Sequence, residues 1–197
     1  MGQIVSFIGR HNSGKTTIGV EVVKYLQEQG YRVGVIKSSG AEKAVFDREG
    51  TDTYKYKIAG AAGVLFNGPD KMVIQDEQKE FSLHTLAHRY FPDVDIVICE
   101  GFKYARQIPK IEVVRDKEQL LKGEVSNVIA MVTDLDVVGD NIFRTTEKKE
   151  LAMFIEKRFL SVDEDKRETT TLLVNGQKVH INRFIQKALG GSVAGLI

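Results

Sequence analysis

The sequence predicts an α/β fold, a mostly parallel sheet with helices on both faces, and three observations predict it. Gln3–Ile8 is a short apolar run closed by Gly9, which reads as a buried strand. Thr16–Gln29 follows with Ile18, Val22, Val23 and Leu26 on one helical face, and Gly30 stands where a helix stops. Tyr31–Lys37 is a second strand, so the chain opens on a β-α-β crossover, which requires parallel pairing and a right-handed connection.

The remaining segments continue the alternation. Ser38–Thr51 has no apolar periodicity and carries Gly40, Asp47 and Gly50; its length marks it as a functional loop or a partly disordered one. Asp52–Ala61 is a helix candidate with Thr51 or Asp52 at its cap, and Gly63–Phe66 and Met72–Gln75 are short β segments around the turn Asn67-Gly68-Pro69-Asp70. Ser82–Tyr90 has helical spacing at Leu83, Leu86 and Tyr90, with Ser82 as its cap. Val94–Cys99 is a buried strand ending in Glu100-Gly101; Ile111–Val114 and Val128–Val132 are further strands, and Glu147–Phe159 is an amphipathic helix. Ser161–Thr170 is charged and nearly without hydrophobes, which marks a linker after a domain over 1–160. Beyond it, residues 171–197 form a small extension: Leu172–Ile181 is a hairpin pattern around Asn175-Gly176, and Asn182–Leu189 a short helix. Such an extension suits a small docking module that covers an edge strand, or a partner-binding piece.

Composition sets the outer bounds. A chain of 197 residues with 42% hydrophobic and 28% charged residues buries a real core. The 28 Lys and Arg against 27 Asp and Glu leave a net charge of +1, which gives no electrostatic reason to expect nucleic acid or an anionic membrane as partner. Cys99 stands alone, which excludes an intramolecular disulfide and fits a reducing compartment. Met1–Phe7 has neither a basic n-region nor an h-region of signal-peptide length, and no apolar run reaches the roughly 18 residues of a membrane helix. The expectation is a soluble, cytoplasmic protein.

Gly9-Arg10-His11-Asn12-Ser13-Gly14-Lys15-Thr16 fills every fixed position of G-x-x-x-x-G-K-[ST], the P-loop pattern. Backbone N–H groups of such a loop turn inward around phosphate oxygens, and the helix N-terminus adds a favourable dipole. Lys15 supplies charge to the β- and γ-phosphates, and the Thr16 hydroxyl ligates Mg²⁺. The motif follows a strand and opens a helix, as that chemistry requires. Thr17 extends the helix start, while His11 is equally a γ-phosphate contact or a solvated loop residue.

A metal beside this loop needs an acidic group at the end of a neighbouring strand. Glu100 is the candidate, at the carboxyl end of a buried strand where open α/β sheets bind ligands; its plainer reading is a solvated strand-end glutamate. Asp95 begins that strand and is structural, and Cys99 is a small buried hydrophobe. Asp47 and Asp52 lie in the irregular segment after the second strand, and either completes the Mg²⁺ shell; Asp52 is favoured, with a plain helix cap as its competitor. Lys37 ends the second strand on the same edge, either to meet the γ-phosphate or an anionic substrate or as an ordinary exposed strand-end lysine.

Four stretches together resemble the molybdopterin-guanine dinucleotide biosynthesis adapter family, MobB: Gly9–Thr17 (GRHNSGKTT), Phe46–Ala61 (FDREGTDTYKYKIAGA), Asp95–Lys103 (DIVICEGFK) and Pro109–Arg115 (PKIEVVR). The resemblance covers roughly the first two-thirds of the chain. It implies a GTP-binding protein that acts with the molybdenum cofactor guanylyltransferase, the enzyme joining GMP to molybdopterin, with weak Mg²⁺-dependent GTP hydrolysis. It places Gly14, Lys15 and Thr16 on phosphate and Mg²⁺ and Glu100 and Asp52 near the metal, and it implies a homodimer. Lys103, Lys110, Glu112 and Arg115 match family positions, either lining a groove for an anionic pterin phosphate or partner or merely bordering the sheet. Many members have a histidine-rich stretch after the second-strand lysine, where this chain reads Lys37-Ser38-Ser39-Gly40.

Two other readings compete. A small-molecule kinase or ATP-dependent ligase would use Lys37 and the 38–51 loop to hold an acceptor, but the sequence has no arginine-rich lid and no identifiable base. A metallochaperone GTPase needs clustered Cys and His, whereas His11, His84, His88 and His180 are scattered. The residues alone reach a Mg-nucleotide-binding P-loop protein; guanine rests on the resemblance, and Asp134 after Val132-Thr133 is a positional candidate for the base or a surface aspartate.

Overall fold

In the computed structural model, which describes residues 2–39, 47–76, 80–121, 123–161, 170–174 and 177–194, the apolar runs become strands and the helically spaced stretches become helices. In chain order the elements are β1 (Gln3–Ile8), α1 (Lys15–Glu28), β2 (Val33–Lys37), α2 (Asp52–Ile58), β3 (Gly63–Asn67), β4 (Met72–Asp76), α3 (Leu83–Tyr90), β5 (Ile96–Glu100), β6 (Lys110–Val113), β7 (Val128–Val132), β8 (Ile142–Phe143), α4 (Lys148–Phe159), β9 (Leu172–Val174), β10 (Gln177–Val179) and α5 (Arg183–Ala194). The chain divides into two units, Met1–Ser38 with Phe81–Ile197, and Ser39–Glu80.

The larger unit is built on a six-stranded sheet in the order β2-β5-β1-β6-β7-β8. Every neighbouring pair in it is parallel. The chain runs from β1 through α1 to β2 but leaves room between them for β5, so the carboxyl ends of β1, β2, β5 and β6 converge on one edge. Register fixes which residues meet there: Glu100 lies opposite Lys37 on one side and Phe7 on the other.

Helices cover both faces. Ile18, Val22 and Leu26 of α1 and Leu151, Ala152 and Ile155 of α4 pack on Val5, Phe7, Ile96, Ile98, Ile111, Val113, Ala130 and Val132. On the other face Leu83 and Ala87 of α3 pack on Ile4, Val97, Cys99 and Ile108. Ser82 accepts a hydrogen bond from Thr85 N at the start of α3, which is the expected cap. Asp95, at the foot of β5, accepts from Arg32 N at 2.8 Å and is structural, as its position indicated.

Strand β6 departs from a plain apolar strand. Its residues alternate, Ile111 and Val113 toward the α1 face and Lys110 and Glu112 away from it, and all four are buried. The β6–β7 connection carries a 3₁₀ turn at Lys117–Gln119 in place of a covering helix. Backbone groups of the loops satisfy the two charges instead. Lys110 Nζ donates to the carbonyls of Ala105 (2.5 Å), Ile108 (3.1 Å) and Ser126 (2.9 Å), which uses the three protons of an ammonium. Glu112 Oε1 accepts from Leu121 N at 2.6 Å. Burial lowers the Lys110 pKa and raises that of Glu112. Lys110 therefore does not line a groove for an anionic ligand: it is a buried tie between two loops.

Two further features differ from the sequence expectation. β8 is an added sixth strand of two residues, and α5 continues past Leu189 through Gly190 and Gly191 to Ala194. Ser192 Oγ bonds back to Ala188 O at 2.8 Å in that last turn. β9 and β10 pair antiparallel with each other, and β10 lies against α3 rather than along an edge of the main sheet. The Asn175-Gly176 turn and nearly all of the 161–170 segment fall outside the described residues.

In the unit Ser39–Glu80, Thr51 rather than Asp52 caps α2, its hydroxyl accepting from Tyr54 N at 3.3 Å. β3 and β4 form an antiparallel hairpin from Gly63↔Asp76 to Asn67↔Met72. Asp47 is held inside this unit by Thr51 Oγ1 (2.8 Å), Arg48 N (2.9 Å) and Gln75 Nε2 (3.1 Å).

Candidate functional site

The loop 9–14 needs backbone shapes that its residue types allow. Gly9 has φ 146°, and a Cβ there would stand 2.3 Å from Val113 O and 2.7 Å from Ser13 Oγ. Asn12 and Gly14 take left-handed φ of 58° and 97°. Ser13 is buried while Arg10, His11 and Asn12 are exposed, so the loop is anchored at its far end and open at its crown. Arg115, just past β6, braces it by donating from Nε to Ser13 O at 3.2 Å. Arg10 is tied to Glu124 at 2.7 Å.

Helix α1 begins directly from this loop. Gly14 is its N-cap, no side chain caps it, and no acidic residue sits in its first turn. Its leading N–H groups and the positive end of its dipole therefore meet no anion of the helix's own. Lys15 Nζ lies over the loop, 2.6 Å from Arg10 O and 3.3 Å from Ser13 Oγ. Burial, with the Lys37 charge adding to it, lowers the Lys15 pKa against the opposing pull of Glu100.

Glu100 is the hub of the edge. Its Oε2 accepts from Thr16 Oγ1 at 2.8 Å and its Oε1 from Lys37 Nζ at 2.9 Å, while Lys37 also reaches Thr16 Oγ1 at 3.3 Å. Burial pushes the Glu100 carboxyl up, but the hydrogen bonds from Lys37 and Thr16 and the two lysine charges outweigh it, and the net pKa is below the ordinary value. The turn after it is rigid. Gly101 and Phe102 both take positive φ, 96° and 53°, Gly101 N bonds Phe7 O at 2.9 Å, and Ser6 Oγ bonds Gly101 O at 2.7 Å. Phe102, the costly residue in that conformation, is packed against the α3-side core.

The hydroxyl and carboxylate oxygens fit a hard cation. Mg²⁺ takes oxygen ligands, and the Thr16 hydroxyl and Glu100 carboxylate, already 2.8 Å apart in a hydrogen bond, are donors of that kind. Beside them a cleft of about 260 Å³ opens between α1 and β2, with Lys15, Thr16, Lys37 and Glu100 at its polar end and Val20, Val23 and Val35 along its apolar side.

Of the residues singled out in the sequence, Gly9, Ser13, Gly14, Lys15, Thr16, Lys37 and Glu100 converge on this edge. His11, Asn12 and Thr17 are exposed at the crown and on the first turn of α1. Asp52 belongs to the other unit, where its carboxylate pairs with Lys55 at 2.9 Å. Cys99 is buried, its thiol pushed up to about 12 by desolvation, and is inert. Lys103 lies 5.0 Å from the Tyr104 ring centre. Asp134 accepts from both the backbone and the hydroxyl of Thr145, which makes it a loop brace. Sequence reasoning missed Ser6, the hinge behind Glu100; a lone serine inside the apolar run QIVSFI was the available signal.

A glycine-shaped loop between the first strand and its helix, at the carboxyl edge of a parallel sheet, defines a protein of the P-loop NTPase-like α/β class. Residues 4–134 match the model of the family described as molybdopterin guanine dinucleotide synthesis protein B, MobB, and the chain belongs to this family. It is 33% identical over 132 residues to the probable molybdopterin-guanine dinucleotide biosynthesis adapter protein of Bacillus subtilis (strain 168), covering 66% of this chain and 75% of that one. A crystal structure of molybdopterin-guanine biosynthesis protein B (mobB) superposes with a TM-score of 0.67 at 31% identity, over 79% of this chain and 99% of the other. The Bacillus subtilis MobB crystal structure gives 0.67 at 25% identity, over 81% and 99%.

Proposed function

We propose that this chain is a GTP-binding adapter of molybdopterin-guanine dinucleotide biosynthesis, which holds Mg²⁺ with GTP, hydrolyses it slowly and supports a guanylyltransferase partner in the cytoplasm as a homodimer. The observation that carries the nucleotide part is the junction of the 9–14 loop with the Thr16–Glu100 pair at one sheet edge. The pathway rests on family membership.

In this reading the N–H groups of residues 9–16 surround the phosphates, and Lys15 swings from Arg10 O and Ser13 Oγ onto their oxygens. Thr16 and Glu100 would hold Mg²⁺, which would supply charge neutralisation to the phosphates. Gly101 and Ser6 keep the Glu100 carboxylate aimed at that position. Arg115 stiffens the loop through Ser13.

Glu100→Gln keeps the shape and the Thr16 contact but removes the charge. The expected result is a fall in Mg²⁺-dependent GTP hydrolysis of about tenfold or more, with GTP affinity measured without Mg²⁺ changed less than about threefold, read by phosphate release and calorimetry. Hydrolysis equal to that of the unmodified chain would make Glu100 a strand-end residue and put the metal elsewhere.

A further inference from the structure

Lys37 makes the contacts a divalent cation would make. Its ammonium touches Glu100 Oε1 (2.9 Å) and Thr16 Oγ1 (3.3 Å), so it sits on the same carboxylate and the same hydroxyl assigned above to the metal, beside the Oε2 that Thr16 holds, and its side chain is half exposed. An ammonium held on that carboxylate and hydroxyl stands within contact distance of a Mg²⁺ ion placed there, and like charges at contact repel strongly. Lys15 lies close enough that its pKa responds to both Glu100 and Lys37, so this edge holds two cations around one carboxylate. Such a cluster repels a free metal ion and attracts a polyanion.

We propose that Lys37 and the metal are alternative occupants of one cation position, so that metal binds well only together with nucleotide. The inference rests on the metal site proposed above. The exchange needs no backbone movement. Lys37 is the last residue of edge strand β2, and Ser38 N is fixed to Glu100 O at 2.9 Å, so the backbone stays in register while the four-carbon stem turns. Phosphate oxygens arriving at the 9–14 loop give the ammonium a new partner of higher charge than Glu100. The vacated oxygens of Thr16 and Glu100 then accept the ion. Lys37 thereby couples the two ligands: each raises the other's affinity by the same factor.

The test uses the full chain and Mn²⁺ as a spectroscopic probe, with free ion counted by electron paramagnetic resonance with and without GTP. Lys37→Met keeps the stem and removes the charge; Lys37→Arg keeps a cation. The expected result is nucleotide-free Mn²⁺ affinity raised about fivefold or more in Lys37→Met, with Lys37→Arg no tighter than the unmodified chain. The gain in Mn²⁺ affinity on adding GTP shrinks in Lys37→Met by the same factor. Nucleotide-free affinity that is unchanged or weaker in Lys37→Met overturns the exchange. Thr16→Ala and Glu100→Gln separate this from failure of the underlying site. If both leave Mn²⁺·GTP binding intact, the site and the exchange fall together; if both weaken it while Lys37→Met shows no gain, the exchange alone falls.

Discussion

Lys15→Ala lowers the affinity for GTP by about 100- to 10,000-fold, because it removes charge-assisted contacts to two phosphates worth about 1.5–3 kcal/mol each. Stability is nearly untouched. The Lys15 ammonium bonds only to Arg10 O and Ser13 Oγ within its own loop, and its side chain belongs to neither core cluster. Losing such half-exposed contacts costs within about 1 kcal/mol, or a few degrees of melting temperature in a chain of this size. Calorimetric titration beside a thermal melt by circular dichroism separates the two effects. Affinity retained within tenfold would remove the loop from the phosphate-binding role.

The second large effect is on stability. Lys110→Ala deletes a buried stem and leaves the carbonyls of Ala105, Ile108 and Ser126 without their donor. The buried Ile108 carbonyl left unpaired costs about 1–3 kcal/mol, the half-buried carbonyls of Ala105 and Ser126 cost less because water reaches them, and the lost stem adds to this, partly offset because the buried charge goes as well. A net loss of about 3–4 kcal/mol is expected, about 6–16 °C in melting temperature. The effect has a pH signature. Burial holds the Lys110 pKa below its ordinary value, so as pH rises through that lowered pKa the folded chain has shed a proton that the unfolded chain still binds. The unmodified chain therefore gains stability on the alkaline side, and its lead over Lys110→Ala widens there. A loss below about 1 kcal/mol would mean that the loops around 105 and 126 hold themselves.

The two variants also show how much of the molecule was legible in its sequence. The loop was legible in full because its requirement is local: glycines at fixed offsets, a lysine, a hydroxyl and a helix start all lie within Gly9–Thr16. Glu100 was legible as a polar residue closing an apolar strand. Its pairing with Lys37 was not, because it depends on β5 inserting between β1 and β2, a long-range choice that no local pattern records. The burial of Lys110 was illegible for a similar reason, and of its two readings the groove is the one the structure removes. A lysine and a glutamate two apart on a strand describe a solvated face, and only the loops folded over β6 turn that face into an interior. β8 escaped notice because Ile142-Phe143 is too short to carry periodicity, and it pairs only because Met131 and Val132 lie alongside. The helix expected over Asn182–Leu189 runs on through Gly190-Gly191 to Ala194, a continuation that low helix propensity at two glycines gives no sign of.

Guanine is the step that rests most on family membership and least on a residue of this chain, since Asp134 is occupied by Thr145. The direct measurement is calorimetric titration of the purified chain with GTP and with ATP, each with and without Mg²⁺. A GTP-binding adapter gives GTP binding at least about tenfold tighter than ATP, a difference of about 1.4 kcal/mol, and tighter still with Mg²⁺. Tighter binding of ATP would contradict the adapter role and bring forward a small-molecule kinase or ATP-dependent ligase at the same loop.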